Sequence, residues 1–280
     1  MTKPAIITVA ITGSVPRKKD TQAVPVTPQE QVESAHECFE AGATIAHIHV
    51  RNEQEAPSSD PELFRQVQEG IRKHCPGMIV QFSTGGRGRT EEERLEPLFL
   101  KPDMASYATG SVNFGDWVYA NPLGFVERLA DVMLENSVRP EIEAFDASMM
   151  YNAAELAARG KIRLPFHVQF VLGIKNALPV RRRLLEFLVS ELADIAPEAS
   201  WGAAGLGRYQ LEVNHWCLEL GGHCRTGLED NIRFDGERLA RSNAELVARV
   251  VSLCPEYDRH PASPQEAREI LGLAPAMETA

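Results

Sequence analysis

A regular alternation of short apolar runs and longer amphipathic segments runs along the whole chain and most constrains its fold. The short runs are typical of buried strands, whereas the segments between them repeat apolar residues at helical spacing. The strand-like runs are near 5–12, 44–50, 78–83, 104–109, 138–145, 165–173, 199–204 and 222–226. The helix-like segments are near 28–41, 60–74, 91–100, 122–136, 147–159, 180–195, 208–220 and 241–253. Eight strands alternating with eight helices over about 250 residues are typical of a (β/α)8, or TIM, barrel.

Local helix signals agree with this division of the chain. Thr27 precedes Pro28 and is followed three residues later by Glu30, a pattern that predicts a helix start. Gly42 comes directly after the helix-like segment and predicts its end.

A doubly wound open sheet is the competing architecture, and periodicity alone does not exclude it. Eight regular units without a domain-sized insertion favour the closed barrel. We therefore predict an α/β fold with a single TIM-barrel domain over residues 1–280. It includes a C-terminal extension from about 254 to 280, with a short helix near 263–272.

Composition and charge exclude several classes of function. The formal net charge of -10 and the lack of a long basic run argue against nucleic-acid binding. No stretch approaches the roughly 18 apolar residues that a membrane span needs. The N-terminus moves directly into a strand-like run, so we expect no signal peptide. Five cysteines without a paired spacing predict free thiols in a reducing cytoplasm.

Polar residues alternate with apolar ones inside strands that should be buried. Parallel barrel strands usually consist of continuous apolar residues, because helices cover them outside and side chains fill the barrel inside. Five strands instead carry polar pairs at alternate positions: His47 and His49, Gln81 and Ser83, Glu141 and Glu143, His167 and Gln169, His223 and Arg225. Each pair points one way, since side chains alternate faces. The pairs indicate a metal site, a polar substrate site or both; a buried hydrogen-bond network is the alternative.

His47 and His49 are the predicted start of a metal site. Their Cα atoms would lie about 6.6 Å apart in a strand, so both imidazoles can reach one ion. Imidazole binds Zn, Fe, Co, Ni or Mn, so the pair does not identify the metal. Glu229, after the eighth strand-like run, is the predicted third ligand because a closed barrel places that end near the second strand. Two histidines and a glutamate form a known catalytic zinc set; structural histidines and an acidic loop are the alternative.

Three further clusters could contact an anion. Residues 83–86 read Ser-Thr-Gly-Gly and offer hydroxyl and backbone N–H groups after the third strand. Residues 205–208, Gly-Leu-Gly-Arg, follow the seventh strand, where barrels often bind phosphate. Residues 181–183 are three arginines that could contact an anionic cofactor. A turn or a solvated helix face is the alternative at each cluster.

Taken together, these motifs resemble those of the β-keto acid cleavage enzyme family over almost the whole chain. The shared segments include His-Ile-His-Val-Arg at 47–51, Ser-Thr-Gly-Gly at 83–86, Asn-Phe-Gly-Asp at 113–116, Gly-Leu-Gly-Arg at 205–208, Gly-Gly-His-Cys-Arg-Thr-Gly at 221–227 and Glu-Asp-Asn at 229–231. The resemblance implies an enzyme that reacts a β-keto acid with acetyl-CoA, giving acetoacetate and a new acyl-CoA. It also implies a homotetramer, with Zn²⁺ bound by His47, His49 and Glu229.

The resemblance also assigns residues to the substrate. Ser83, Gly86 and Ser106 match positions that hold the substrate carboxylate. Asp230, supported by Arg225 and Ser83, matches the base that removes a proton from the substrate methylene. A carboxylate beside an arginine normally has a lowered pKa, so we expect Asp230 to be a weak base that depends on enolate stabilisation by zinc.

Two departures from the family pattern bear on specificity. Where an amino-substrate enzyme has a glutamate that binds the substrate ammonium, this chain has Val15, which favours a less charged side chain. Glu143 remains and could still contact a hydroxyl or a cation. The loop after the sixth strand reads Lys-Asn-Ala-Leu-Pro at 175–179 in place of a Gly-Gly. Lys175 and the arginines at 181–183 could pair with CoA phosphates.

Two other functions remain open at this point. A metal-dependent aldolase or hydrolase could use the same barrel without CoA. A barrel without catalytic activity could bind a small carboxylate as a sensor, although the intact histidines and acidic residues argue against this.

Overall fold

Eight parallel strands close into a barrel in the computed structural model, which describes residues 2–276. The strands, numbered β1 to β8, are Ile7–Ala10, Ile45–Ile48, Ile79–Phe82, Met104–Tyr107, Arg139–Ala144, His167–Leu172, Ser200–Gly205 and His223–Thr226. Each strand pairs with the next, and β8 pairs with β1. The predicted TIM barrel is therefore confirmed, and the open-sheet alternative is wrong. Residue 1 and residues 277–280 of the predicted domain lie outside the described residues.

Helices connect the strands in the predicted order. They are α1 Pro28–Glu40, α2 Pro61–His74, α3 Glu91–Leu95, α4 Leu123–Glu135, α5 Ser148–Ala158, α6 Arg182–Ile195, α7 Gln210–Leu220, α8 Asn243–Leu253 and α9 Pro264–Ile270. Among the residues that the structure describes, three short strand pairs lie outside the barrel: Lys3–Ala5 with Arg259–Pro261, Val50–Arg51 with Pro57–Ser58, and Val112–Phe114 with Trp117–Tyr119. Within residues 2–276, no helix combines the length and apolar character that crossing a membrane requires.

The barrel interior is apolar at the amino ends of β2, β3 and β4 and carries buried polar side chains elsewhere, including His167 and His223 at the starts of β6 and β8. Ile45, Ile79 and Met104 pack with Ala267 and Leu271 of the C-terminal segment, which closes the amino end. All ten side chains of the five predicted polar pairs are buried. The intervening apolar residues belong to the core between strands and helices: Ala46, Ile48, Val50, Ile142, Ala144, Phe166, Val168 and Phe170. The predicted alternation of faces is therefore confirmed, because the apolar side chains pack against the helices and the polar ones share the other face of the sheet.

The start of α1 has the predicted cap. The Glu30 N–H donates to Thr27 Oγ1 at 3.2 Å, and the Thr27 N–H donates back to Glu30 Oε2 at 3.0 Å. The Val26 N–H also donates to Glu30 Oε2, at 2.7 Å, and Lys18 Nζ lies 2.8 Å from Glu30 Oε1. Burial raises the pKa of Glu30, but the Lys18 hydrogen bond and the two backbone donors outweigh it and lower this pKa from 4.5 to about 2.

We expect Glu30→Gln to lower the free energy of unfolding at pH 7 by about 1 kcal/mol, because solvent screens this partly exposed group. The folded-state pKa is depressed, so the contribution is present above pH 4.5 and lost as the pH falls towards about 2. Urea unfolding of wild type and variant at several pH values measures the difference. Glu37→Gln, an exposed change on the same helix, is the matched control. If the difference in the free energy of unfolding did not change with pH, the ionised Glu30 carboxylate would not be its source.

Candidate active site

The three predicted metal ligands converge at the carboxyl end of the barrel. His47 Nε2 lies 3.3 Å from His49 Nε2, and Glu229 Oε1 lies 3.8 Å and 3.4 Å from these two nitrogens, respectively. Glu229 Oε2 is buried and has no hydrogen-bond partner within residues 2–276. Two imidazole nitrogens and a carboxylate oxygen within 4.8 Å of one another fit a divalent metal ion.

Glu229 reaches the histidines because β8 ends close against β1. Gly227 has a φ of +132°, and a Cβ at this position would lie 2.2 Å from the Ala10 carbonyl oxygen. Only glycine tolerates that backbone and that approach. The Glu229 N–H then donates to the same carbonyl at 3.2 Å, so the carboxylate projects across β1 towards His47.

The tautomer of His47 follows from its neighbour on β3. His47 Nδ1 lies 2.5 Å from Gln81 Oε1, and an amide oxygen only accepts, so Nδ1 carries the proton. The lone pair of Nε2 then faces His49 and Glu229, as metal coordination requires. Burial is the largest influence on the pKa of His47 and lowers it to about 3, so this imidazole is neutral.

A second grouping, of His47 with Glu141 and Glu143, also brings ligand atoms within 4.8 Å of one another. Burial raises the pKa of Glu141 and raises that of Glu143 to about 8. For Glu229, burial also acts upwards, but the nearby histidines and Arg225 outweigh it and hold the pKa well below 4.5. Because the ionised carboxylate is the better ligand, the set that includes Glu229 fits a metal better.

Arg225 contacts three carboxyl groups beside the two histidines, those of Asp230, Glu229 and Glu143. Its Nε lies 2.9 Å from Asp230 Oδ2, and its Nη2 donates to Asp230 Oδ1 and to Glu229 Oε1, both at 2.9 Å. Arg225 Nη1 reaches Glu143 Oε1 at 3.4 Å. The Gly207 N–H donates to the Asp230 carbonyl at 2.8 Å and holds its backbone.

The prediction that the pKa of Asp230 is lowered is wrong. Burial is the largest influence on this pKa and raises it above 3.8, against the lowering by Arg225, while the negative charge of Glu229 raises it further. Desolvation of this largely buried carboxylate outweighs its ion pair here. Asp230 is thereby a stronger base than the sequence predicted.

The predicted substrate residues do not all reach the cavity. Ser83, Gly86 and Val15 line it, together with Glu143, Arg225 and Asp230. The Gly85 N–H donates to Ser83 Oγ at 3.1 Å, so the hydroxyl hydrogen of Ser83 stays available to a ligand. Ser106 is fully buried and does not line the cavity; its hydroxyl accepts the Thr84 N–H at 3.1 Å. Val15 is 62% exposed, at the mouth.

The predicted basic cluster after β6 lies mainly at the surface. Arg182 pairs with Glu186 and Glu219 along α6 and α7. Arg181 and Arg183 are exposed, and Lys175 lies 4.0 Å from Asp116. A contact of these residues with CoA therefore stays a prediction.

Sequence reasoning missed an aromatic wall of the cavity. Phe114, Trp117 and Tyr119 belong to the hairpin Val112–Tyr119, and Phe114 contacts Phe145 with ring centroids 5.5 Å apart. The alternation of aromatic residues around Gly115 and Asp116 is a hairpin signal that could have revealed it.

Sequence reasoning also missed Arg51, which holds the loop after β1 in place through hydrogen bonds. Arg51 Nε donates to the Gly13 carbonyl at 2.7 Å, and Nη2 donates to Thr12 and Pro16 carbonyls at 3.3 Å and 3.1 Å. This loop packs Gly13 against Glu229 and carries Val15.

We expect Gly13→Ala to weaken metal binding by roughly 10- to 100-fold, because it displaces a ligand. Gly13 has a φ of +63°, and an added Cβ would lie 2.4 Å from Glu229 Cγ. Gly160→Ala is the matched control, since Gly160 has a φ of +75° but nothing within 4 Å of the added Cβ. Metal titration followed by calorimetry separates the two variants. Equal metal affinity in both would show that Gly13 does not position Glu229.

Fold and site together define a TIM-barrel enzyme with a buried donor set for a divalent metal beside a carboxylate–arginine pair. The sequence model of the family described as beta-keto acid cleavage enzyme matches residues 4–273. The chain therefore belongs to the beta-keto acid cleavage enzyme family, and the predicted resemblance is confirmed. The predicted class of enzyme, one that cleaves a carbon–carbon bond, is confirmed with it.

Similar proteins cover nearly the whole chain. It is 57% identical over 278 residues to the 3-oxoadipate:acetyl-CoA acetyltransferase of Cupriavidus necator, covering 99% of this chain and 98% of that protein. It is 41% identical over 271 residues to the 3-keto-5-aminohexanoate cleavage enzyme of Acetoanaerobium sticklandii, covering 96% and 98%, respectively. The solved apo structure of ObcA has a TM-score of 0.80 at 21% identity over 90% of this chain and 66% of that chain, which shows the fold alone.

Proposed function

We propose that this enzyme is a zinc-dependent acyltransferase that converts a β-keto acid and acetyl-CoA to acetoacetate and a new acyl-CoA. The observation that carries the proposal is the convergence of His47, His49 and Glu229 within 4.8 Å of one another in a chain of this family. The names of relatives with acetyl-CoA as co-substrate support the second substrate.

The residues fit a divalent ion. Within residues 2–276, Glu229 Oε2 is buried without a hydrogen-bond partner, and the Nε2 atoms of His47 and His49 face each other at 3.3 Å. Two histidines and one carboxylate are a known zinc set. Bound there, zinc would supply Lewis-acid stabilisation of negative charge on the keto and carboxyl oxygens of the substrate.

Asp230 is the proposed base. Its buried carboxylate accepts a proton from the carbon between the keto and carboxyl groups, and the raised pKa strengthens it for this transfer. Arg225 fixes the carboxylate with two hydrogen bonds from one side, so the other lone pairs face the cavity. The Ser83 hydroxyl and the loop at Gly86 hold the substrate carboxylate.

The proposed reaction balances without another reagent. The deprotonated carbon attacks the acetyl thioester carbonyl, and CoA transfers to the original keto carbon. Cleavage of the adjacent carbon–carbon bond then gives the acetoacetate carbanion, which takes back the proton held by Asp230 and leaves as acetoacetate. The remaining acyl group leaves as its CoA thioester. The aromatic hairpin and Phe145 line the cavity. Their apolar surface would limit the access of water to the thioester once both substrates are bound.

For the acid itself, we propose 3-oxoadipate as the preferred substrate. A relative with 57% identity carries that substrate in its name. In addition, Val15 stands where an amino-substrate enzyme has a glutamate, so this position offers no carboxylate to a substrate ammonium group.

We further propose that the enzyme is cytoplasmic and forms a homotetramer. The homotetramer is inferred from the resemblance to the family. The five cysteines, all free and buried, support a reducing compartment. Light scattering tests the assembly.

The test is acetoacetate formation from a panel of cationic, neutral and anionic β-keto acids, with and without acetyl-CoA, using metal-loaded enzyme. We expect turnover only with acetyl-CoA and with 3-oxoadipate preferred. Turnover without acetyl-CoA would favour an aldolase or hydrolase. Metal binding without turnover of any acid would favour a carboxylate sensor.

A further inference from the structure

Arg87 and Arg89 follow Gly86 on the loop after β3, and both line the active-site cavity. Within residues 2–276, the Nε atom of each arginine is buried and has no hydrogen-bond partner. Arg87 stacks over Trp117, with its Cζ 4.8 Å from the ring centroid. Arg89 makes neutral contacts, from Nη1 to Ser59 Oγ at 3.2 Å and to the Ser58 carbonyl at 3.4 Å.

The other arginines of this region have their donors occupied. Arg225 lies against three carboxylates. Arg94 donates to Asn121 Oδ1 at 2.5 Å, to the Thr84 carbonyl at 2.7 Å and to the Ala120 carbonyl at 3.1 Å. Neither Arg87 nor Arg89 lies within 4.0 Å of a carboxylate of the described chain. Both arginines are partly buried, and a partly desolvated cation without a counter-charge is stabilised when a ligand supplies one, so the pair indicates an anion.

Arg89 lies near the reacting end of the site. Its Nη2, Ser83 Oγ and His49 Cε1 all lie within 4 Å of the point where a Cβ on Gly85 would stand. The contacts to Ser58 and Ser59 hold one edge of the guanidinium and leave Nη2 free. A short substrate spans this distance, whereas the pantetheine arm holds the CoA phosphates many bonds away from the thioester.

We propose that Arg87 and Arg89 form a subsite for a second carboxylate of the β-keto acid, through which the enzyme selects β-keto dicarboxylates. This inference rests on the proposed function. It assigns the selection to this arginine pair: the guanidinium donors bind the distal carboxylate, while Ser83 and Gly86 hold the carboxylate next to the reacting carbon.

The test compares two acids that differ only at the far end. 3-Oxohexanoate has a methyl group where 3-oxoadipate has its second carboxylate. We expect Arg87→Met and Arg89→Met each to lower kcat/KM for 3-oxoadipate by roughly 10- to 100-fold, the usual effect of losing a charge-assisted hydrogen bond. For 3-oxohexanoate, kcat/KM should change by less than about threefold. Arg163→Met, an exposed change in the loop before β6, is the control for lost charge.

Each alternative has its own outcome. Equal losses with both acids would overturn the proposal, because the arginine would then act on the shared carboxylate or on the fold. A raised KM for acetyl-CoA with both acids would overturn it in favour of CoA phosphates. Circular dichroism and retained turnover of 3-oxohexanoate show that a variant is folded. Wild-type enzyme that turns over neither acid would refute the proposed function instead.

Discussion

Asp230→Asn is expected to lower kcat by about 1,000-fold while leaving the bound metal and the fold unchanged. The amide preserves the shape of the side chain and can still accept a hydrogen bond from Arg225, but it cannot take the substrate proton. Asp230 is not in the proposed ligand set, so metal content should stay at the wild-type level. Steady-state kinetics with acetyl-CoA and 3-oxoadipate measure the loss, and elemental analysis measures the metal.

Exchange of the substrate's methylene protons with deuterated solvent gives a second measurement of the same step. Exchange should be slowed in parallel with turnover, because both need the base. Asp194→Asn, an exposed change on α6, is the control and should retain wild-type kinetics. Full activity of Asp230→Asn would show that another group removes the proton. Glu143, whose pKa burial raises to about 8, would then be the next candidate.

His49→Ala is expected to abolish tight metal binding and to lower kcat/KM by at least about 1,000-fold. His49 Nε2 lies 3.3 Å from His47 Nε2 and 3.4 Å from Glu229 Oε1, so its loss leaves only two donors of the set. Elemental analysis after dialysis should show about one ion per wild-type chain and only a trace in the variant. Because a bound ion stabilises the folded state, added Zn²⁺ should raise Tm in wild type but not in the variant.

His36→Ala, an exposed change on α1, controls for the loss of an imidazole and should retain metal. A His49→Ala variant that keeps its metal and loses only activity would overturn the ligand assignment. A variant that keeps both would exclude this site from the reaction.

Much of the fold could be predicted from local pattern, because apolar periodicity and caps act over a few residues. The cap of α1 is an example: Thr27 and Glu30 are three residues apart and satisfy each other's N–H groups. Strand parity also predicted that the polar pairs share a face. Strand ends were less exact, since β2 ends at Ile48 and His49 follows it.

The sequence by itself determined the alternating elements, the inward direction of the polar pairs and the family. Only the tertiary structure decided which of those groups meet, because closure of β8 on β1 at Gly227 brings together residues far apart in the chain. It also reversed the expected shift in the pKa of Asp230, placed Ser106 behind Thr84, and left Arg87 and Arg89 without counter-charges. Desolvation depends on what every neighbouring element covers, and a linear pattern does not contain that information.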